Sequence, residues 1–129
     1  MNVTIYPSRA AGKIVAPPSK SMAHRLLICA ALCRDGVSIV RGIDPSEDVS
    51  ATLDCLEALG ARCRVDGDTV TVQGIDFSGA AESRHLHCRE SGSTLRFFIP
   101  LSLLDNVKTT FSGSETLLSR PLGVYRDIC

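Results

Sequence analysis

The sequence predicts an α/β fold, α+β in its local order, built from a repeated unit of helix, strand, helix and hairpin. Apolar residues switch between helical spacing and strand alternation along the 129 residues. A serine-rich helix start at residues 19–21 is echoed by residues 91–93, an offset of about 70 residues. Hydrophobic residues make up 44% of the chain and charged residues 22%, which is a globular composition.

The first elements are predicted from apolar patterning and from the prolines that interrupt it. Residues 2–6 and 12–15 are rich in Val and Ile and predict two short strands. Pro17 and Pro18 end the second strand, because proline cannot donate a ladder hydrogen bond. Residues 19–33 predict a helix that is apolar nearly all round, which indicates burial.

The rest of the first unit follows from a helix start and a turn. Residues 37–40 predict a strand, and residues 44–47 predict a helix with Asp44 as N-cap and Pro45 at its first position. Gly60 ends this helix. Residues 61–65 and 69–72 alternate around the turn at residues 66–68 and predict a hairpin.

The second half predicts an incomplete copy of this unit. It contains an apolar helix at residues 95–104, kinked at Pro100, then a strand at 108–111 and a final helix. The last three residues, Asp127, Ile128 and Cys129, echo residues 54–56. No hairpin follows, and natural domains seldom end in an uncapped, half-apolar helix, so we expect a truncated chain.

Charge and cysteine usage exclude several classes of function. Fourteen basic residues balance fourteen acidic ones, which predicts no general attraction to nucleic acid or to a membrane. The six cysteines form no CxxC pair and no signal peptide is visible, so we expect reduced, buried thiols in a cytoplasmic protein, with Cys29 and Cys33 in the core. His85 and His87 are two residues apart and would share one face of a strand, but no third ligand is nearby, and we predict no metal site.

Cations occupy predicted helix starts, where the helix dipole disfavours them. Lys20 and Arg25 flank the first turn of one helix, Arg96 lies one turn after Gly92, and Arg120 precedes Pro121 at the expected N-cap of the last helix. Each such placement costs about 0.3–1 kcal/mol unless an anion binds there. One such cation alone is better explained as a solvated surface charge. Together they predict a site for small polyanions bearing phosphate and carboxylate groups.

Three motifs resemble the 5-enolpyruvylshikimate-3-phosphate synthase family. Residues 17–25, PPSKSMAHR, are similar to its first signature, residues 90–97, ESGSTLRF, to its second, and residues 119–122, SRPL, to its RPL segment. The resemblance runs the whole length of the chain. It implies enolpyruvyl transferase-like repeats of a βαβαββ unit, truncated here in the second repeat. It also implies transfer of the enolpyruvyl group from phosphoenolpyruvate to the 5-hydroxyl of shikimate 3-phosphate, without a metal or organic cofactor.

The resemblance also implies residue roles and domain limits. Lys20 matches a catalytic lysine that touches both substrates, Ser21 and Arg25 match shikimate 3-phosphate ligands, and Gly92 and Arg120 match phosphoenolpyruvate ligands. Residues 1–15 would then be opening strands that belong to an opposing domain. Residues 16–84 would form the first repeat and 85–129 the incomplete second one. We expect the isolated chain to be inactive and to self-associate through apolar surface left uncovered.

Glu90 departs from the family pattern, since many members carry Asn there. A carboxylate beside an anion site needs a partner such as Arg89 or Arg96.

Two alternative functions stay open. The sister enolpyruvyl transferase that acts on UDP-N-acetylglucosamine shares the fold but has a different first motif. A non-catalytic repeat module could bind anions or a partner chain instead.

Overall fold

The computed structural model describes residues 2–77 and 82–128 as alternating helices and strands. In chain order the elements are α1 Lys20–Leu32, β1 Val37–Arg41, α2 Glu47–Ala58, β2 Arg62–Asp66, β3 Thr69–Gln73, β4 Ser83–His87, α3 Gly92–Leu101, β5 Lys108–Ser112, α4 Glu115–Leu118 and α5 Gly123–Ile128. The mixed class and the order helix, strand, helix, hairpin are confirmed.

The first unit packs two helices on a three-stranded antiparallel sheet of order β1-β3-β2. The predicted hairpin is β2 and β3, in which Asp66 lies opposite Thr69. Gly67 has a φ of +58°, a conformation that the tight turn requires and that glycine adopts without steric cost. The other edge of β3 pairs with β1.

The second unit begins with a strand that the sequence patterns did not define. β4 pairs in parallel with β5, and helix α3 forms the connection between them. The predicted boundary between residues 84 and 85 falls inside β4.

The short helix α4 was also not predicted. It lies between β5 and α5, and its N-cap Ser114 accepts a hydrogen bond from the backbone N–H of Leu117. Cys129, which the predicted repeat pairs with Leu56, lies outside the described residues.

The two opening strands were predicted wrongly. Residues 2–19 contain no strand, and Ile5, Ile14 and Val15 are at least 87% exposed. A β-strand exists only through its ladder partners. Within the described residues no segment pairs with this stretch, so its β-branched residues cannot by themselves make it a strand.

Two helix starts lie later than predicted. α2 begins at Glu47 with Ser46 as its N-cap, not Asp44. α5 begins at Gly123, so Arg120 is not an N-cap either. In both places the helix begins two residues after a proline. A proline marks the region where a helix can begin but does not by itself fix the first helical residue to within one or two positions.

The core lies between α1, α2, α3 and the sheets, and its largest fully buried side chain is Phe98. One stripe of α2 and its C-cap, Val49, Leu53, Leu56 and Leu59, is buried. Helix α1 is buried on one face only, because Met22 and Leu26 are 53% and 44% exposed. The prediction of a helix buried all round was therefore wrong.

The predicted position of the thiols was also wrong in part. All five described cysteines are free, but Cys29 and Cys33 are exposed. The buried thiols are Cys55 and Cys88, and Cys63 is half-buried. Since α1 is one-sided, an apolar run along it did not decide which residues face inward. Among the described helices none is both long and apolar enough to cross a membrane.

Candidate anion-binding site

The N-termini of the three main helices are joined by contacts to one residue, Asp48, in the first turn of α2. The Nζ of Lys20 lies 3.4 Å from the Asp48 Oδ2. The Thr94 hydroxyl of α3 lies 3.4 Å from the Asp48 carbonyl oxygen. The unpaired N–H groups and positive dipole ends of α1, α2 and α3 are thereby held in one region.

Two arginine side chains converge on Gly92, the first residue of α3. A Cβ atom placed on Gly92 would lie 2.5 Å from Arg120 Nη1 and 3.0 Å from Arg96 Nη1. The two nitrogens are therefore no further apart than the sum of those distances. Two like charges this close repel each other, and an anion bound between them removes that penalty. The cluster lies at the helix N-terminus that Ser91 caps.

Arg25 links α1 to the same helix. Its guanidinium donates to the backbone oxygen of Ser21 at 2.8 Å and also contacts the Ser21 hydroxyl. The Arg25 Cζ lies 5.1 Å from the centre of the Phe97 ring, which is a cation–π distance. Phe97 follows Arg96 in α3, so the predicted ligand Arg25 is held against the helix that carries Gly92.

Three comparisons with known proteins bear on these motifs. A family model described as EPSP synthase (3-phosphoshikimate 1-carboxyvinyltransferase) matches residues 5–127. The chain belongs to the EPSP synthase family. A protein named 3-phosphoshikimate 1-carboxyvinyltransferase from Clostridium perfringens is 43% identical over 126 residues, which cover 98% of this chain and 30% of the relative. A protein of the same name from Clostridium beijerinckii is 44% identical over 133 residues.

The fold agrees with solved members of the family. The structure of EPSP synthase from Acinetobacter baumannii superposes with a TM-score of 0.69 at 28% identity, covering 86% of this chain and 26% of that one. The enolpyruvyl transferase-like fold is thereby confirmed. The chain spans about 30% of the length of the curated relatives it matches.

The structure brings four of the residues that the sequence singled out together in two pairs. Gly92 and Arg120 lie together, and Ser21 and Arg25 contact each other. Lys20 is separate from both pairs and faces Asp48. Their roles toward substrates stay predictions. Arg96 was recognised as a cation at a helix start but not assigned to the site; its spacing of four from Gly92 was the available signal.

The carboxylates near the site are mostly paired. Arg89, which has a φ of 50°, contacts Glu47, and its Nη2 lies 2.7 Å from Asp54 Oδ2. Arg89 is therefore occupied by α2 and does not neutralise Glu90. Glu90 itself is exposed, and within the described ranges it has no ion pair. A solvated Glu90 side chain is the arrangement that least disturbs an anion at Gly92.

His24, which precedes the cation Arg25 in α1, is packed in the interior. Its side chain is buried, and its Nδ1 lies 2.7 Å from the Thr52 hydroxyl. Burial lowers the pKa of the imidazole below its ordinary range; nearby Asp48 opposes this shift, while Arg25 and Lys20 support it. His24 is thus a neutral structural residue near pH 7. Residues 2–77 and 82–128 hold no group of three or more His, Cys, Asp or Glu side chains placed to bind a metal ion.

Proposed function

We propose that this chain forms part of the substrate-binding surface of an EPSP synthase. The complete enzyme transfers the enolpyruvyl group of phosphoenolpyruvate to the 5-hydroxyl of shikimate 3-phosphate and releases phosphate. Membership of the family supports this reaction. The relatives' name, a 3-phosphoshikimate carboxyvinyltransferase, supports the same substrates.

The observation that carries the proposal is the convergence of Arg96 and Arg120 over Gly92. A cation pair at a helix N-terminus suits an anion that accepts several charge-assisted hydrogen bonds, as a phosphate or carboxylate does. We assign phosphoenolpyruvate to Gly92 and Arg120. The missing side chain of Gly92 leaves room for the Arg120 guanidinium, whose Nη1 would lie 2.5 Å from a Cβ atom there, beside the backbone N–H groups of the helix start.

Shikimate 3-phosphate is assigned to Ser21 and Arg25, which contact each other on the first turn of α1. Lys20, on the same turn, is proposed to contact both substrates and to act in catalysis. Its Nζ is only loosely paired with Asp48 at 3.4 Å, and its side chain is 54% exposed. A lysine in that state can exchange its carboxylate partner for a phosphate at little cost.

The test is a chimeric enzyme in which this chain replaces the matching N-terminal part of the Clostridium perfringens relative. Phosphate release from phosphoenolpyruvate should depend on shikimate 3-phosphate. Arg120→Ala should reduce that rate strongly, whereas Arg126→Ala, the removal of an exposed cation on α5, should not. A chimera that unfolds cooperatively but transfers no enolpyruvyl group would contradict the proposal, provided that the unmodified relative is active in the same assay.

The isolated 129-residue chain should show no transfer above a Lys20→Ala control. Its binding of phosphoenolpyruvate can still be followed through the backbone N–H resonance of Gly92 by NMR. Self-association of the isolated chain stays a prediction, which sedimentation at several concentrations would test.

A further inference from the structure

Four buried polar side chains form a continuous hydrogen-bonded relay beneath the cationic surface. His24 Nδ1 lies 2.7 Å from the Thr52 hydroxyl, and the Thr52 hydroxyl lies 2.8 Å from the Thr94 hydroxyl. Thr94 in turn donates to the Ser91 hydroxyl at 2.7 Å. All four residues are at most 2% exposed. The relay therefore crosses from α1 through α2 to the start of α3 without contact with solvent.

The direction of the relay follows from hydrogen counting. A threonine hydroxyl has one hydrogen. The Thr94 hydrogen goes to the Ser91 hydroxyl at 2.7 Å, and the Asp48 carbonyl oxygen at 3.4 Å is the other acceptor within reach, so toward Thr52 the Thr94 hydroxyl accepts. Thr52 must then accept from the ring nitrogen of His24, so His24 carries its proton on Nδ1.

The two ends of the relay lie next to the proposed ligand groups. His24 precedes Arg25 in α1, and Ser91 precedes Gly92 in α3. Ser91 is also the N-cap of α3, where its Oγ accepts the backbone N–H of Thr94 at 3.2 Å. The orientation of that cap fixes where the first N–H groups of α3 point.

The hydroxyl of Thr52 forms its hydrogen bonds with other helices and not with the backbone of its own helix, α2. A threonine inside a helix commonly bonds the carbonyl four residues earlier, which here belongs to Asp48. Thr52 instead bonds across to His24 and Thr94, and it is Thr94 of α3 that reaches the Asp48 carbonyl. A buried polar chain with every link made is geometrically specific, since any shift of one helix leaves a donor without an acceptor.

We propose that Thr52 and Thr94 are positioning residues, which set the Gly92 turn against helix α1 so that the Arg25 and Gly92 halves of the site are held in one geometry. This inference rests on the proposed function for what the site binds. The relay itself does not, because its hydrogen bonds join protein groups alone.

The test uses the 129-residue chain with three variants. Thr52→Val removes the hydroxyl at nearly constant shape, Thr52→Ser restores it, and Val72→Ala serves as a control that removes buried methyl groups from β3 without touching the relay. Without any ligand, Thr52→Val should move the backbone N–H resonances of Gly92 and Ser93. Thr52→Ser should return them, and Val72→Ala should leave them in place.

Phosphoenolpyruvate is the probe for binding. Thr52→Val should raise its dissociation constant about tenfold, since small errors of position at a site are amplified in this way. The Thr52→Ser and Val72→Ala variants should stay within about twofold of the unmodified chain, a difference too small to reflect a lost contact. If Val72→Ala weakens binding as much as Thr52→Val, the relay has no positioning role.

One readout needs no variant. The ring nitrogen and carbon resonances of His24 should report the Nδ1–H tautomer in the unmodified chain, and the Nε2–H tautomer would overturn the relay. If the Gly92 resonance does not shift in Thr52→Val, the positioning role is overturned. If the Gly92 resonance shifts in Thr52→Val and returns in Thr52→Ser, but neither the unmodified chain nor the chimera binds phosphoenolpyruvate, the proposed function fails and the positioning role stands.

Discussion

Substitution of Gly92 by alanine should separate anion binding from stability. The new Cβ would lie 2.5 Å from Arg120 Nη1 and 3.0 Å from Arg96 Nη1. Favourable contacts between heavy atoms begin near about 3.5 Å, so the Arg120 guanidinium must retreat by about 1 Å. Both neighbours are the ends of flexible side chains, so they can move without disturbing the backbone.

The magnitude follows from the hydrogen bond that such a shift removes. A hydrogen bond to a charged group contributes about 1.5–3 kcal/mol. At about 1.4 kcal/mol per factor of ten, its loss weakens phosphoenolpyruvate binding roughly 10- to 150-fold. Gly92 has no positive φ, and alanine is favoured over glycine in helices by up to about 1 kcal/mol. Stability should therefore be unchanged or slightly higher.

The assay is the KM for each substrate in the chimeric enzyme, together with urea unfolding of the isolated chain. The KM for phosphoenolpyruvate should rise, while that for shikimate 3-phosphate should change little, because Ser21 and Arg25 lie on α1. Gly123→Ala is the matched control: it is also the first residue of a helix, and its Cβ would meet no atom within 4 Å. A Gly92→Ala enzyme with an unchanged KM for phosphoenolpyruvate would refute the assignment of the cluster.

Three further predictions concern the fold. The pKa of His24 is lowered in the folded state, so the unfolded chain binds a proton at higher pH than the folded chain does. The stability of the fold should therefore fall as the pH drops through about 6.5. Urea unfolding midpoints at several pH values should show this loss, and His24→Gln should remove it. Phe98→Ala should cost about 3–5 kcal/mol of unfolding free energy, measured by urea denaturation; a loss below about 1 kcal/mol would contradict its central position in the core. Titration with a thiol reagent should modify the exposed Cys29 and Cys33 quickly in the folded chain. Cys63 should react slowly, because burial raises its pKa to about 11. The buried Cys55 and Cys88 should react only on unfolding, and equal rates for all thiols would contradict this burial pattern.

Local signals were sufficient where the cause of structure is local. Ser19 and Ser91 cap their helices through their own side chains, and Gly60 and Gly67 adopt backbone angles that other residues resist. The hairpin of β2 and β3 follows from the same kind of short-range chemistry. Helix α1 and the hairpin were found within about one residue of their observed limits, whereas α3 begins and ends three residues earlier than predicted.

Prediction failed where a partner element decides the outcome. The strand pattern at residues 12–15 has no pairing segment in the described chain, so it forms no strand. β4 exists because β5 pairs with it, although its sequence, SRHLH, carries little strand signal. Cys29 is exposed because helix α1 is covered on one side only, which its apolar sequence does not reveal.

The sequence by itself determined the family, the repeated order of elements and the candidate ligands Lys20, Ser21, Arg25, Gly92 and Arg120, because motifs and caps are encoded over a few neighbouring residues. Only the tertiary structure decided how these groups meet. Arg96 and Arg120 come from distant segments and share one glycine. His24, Thr52 and Thr94 lie on three different helices, and their hydrogen bonds exist only once those helices have packed.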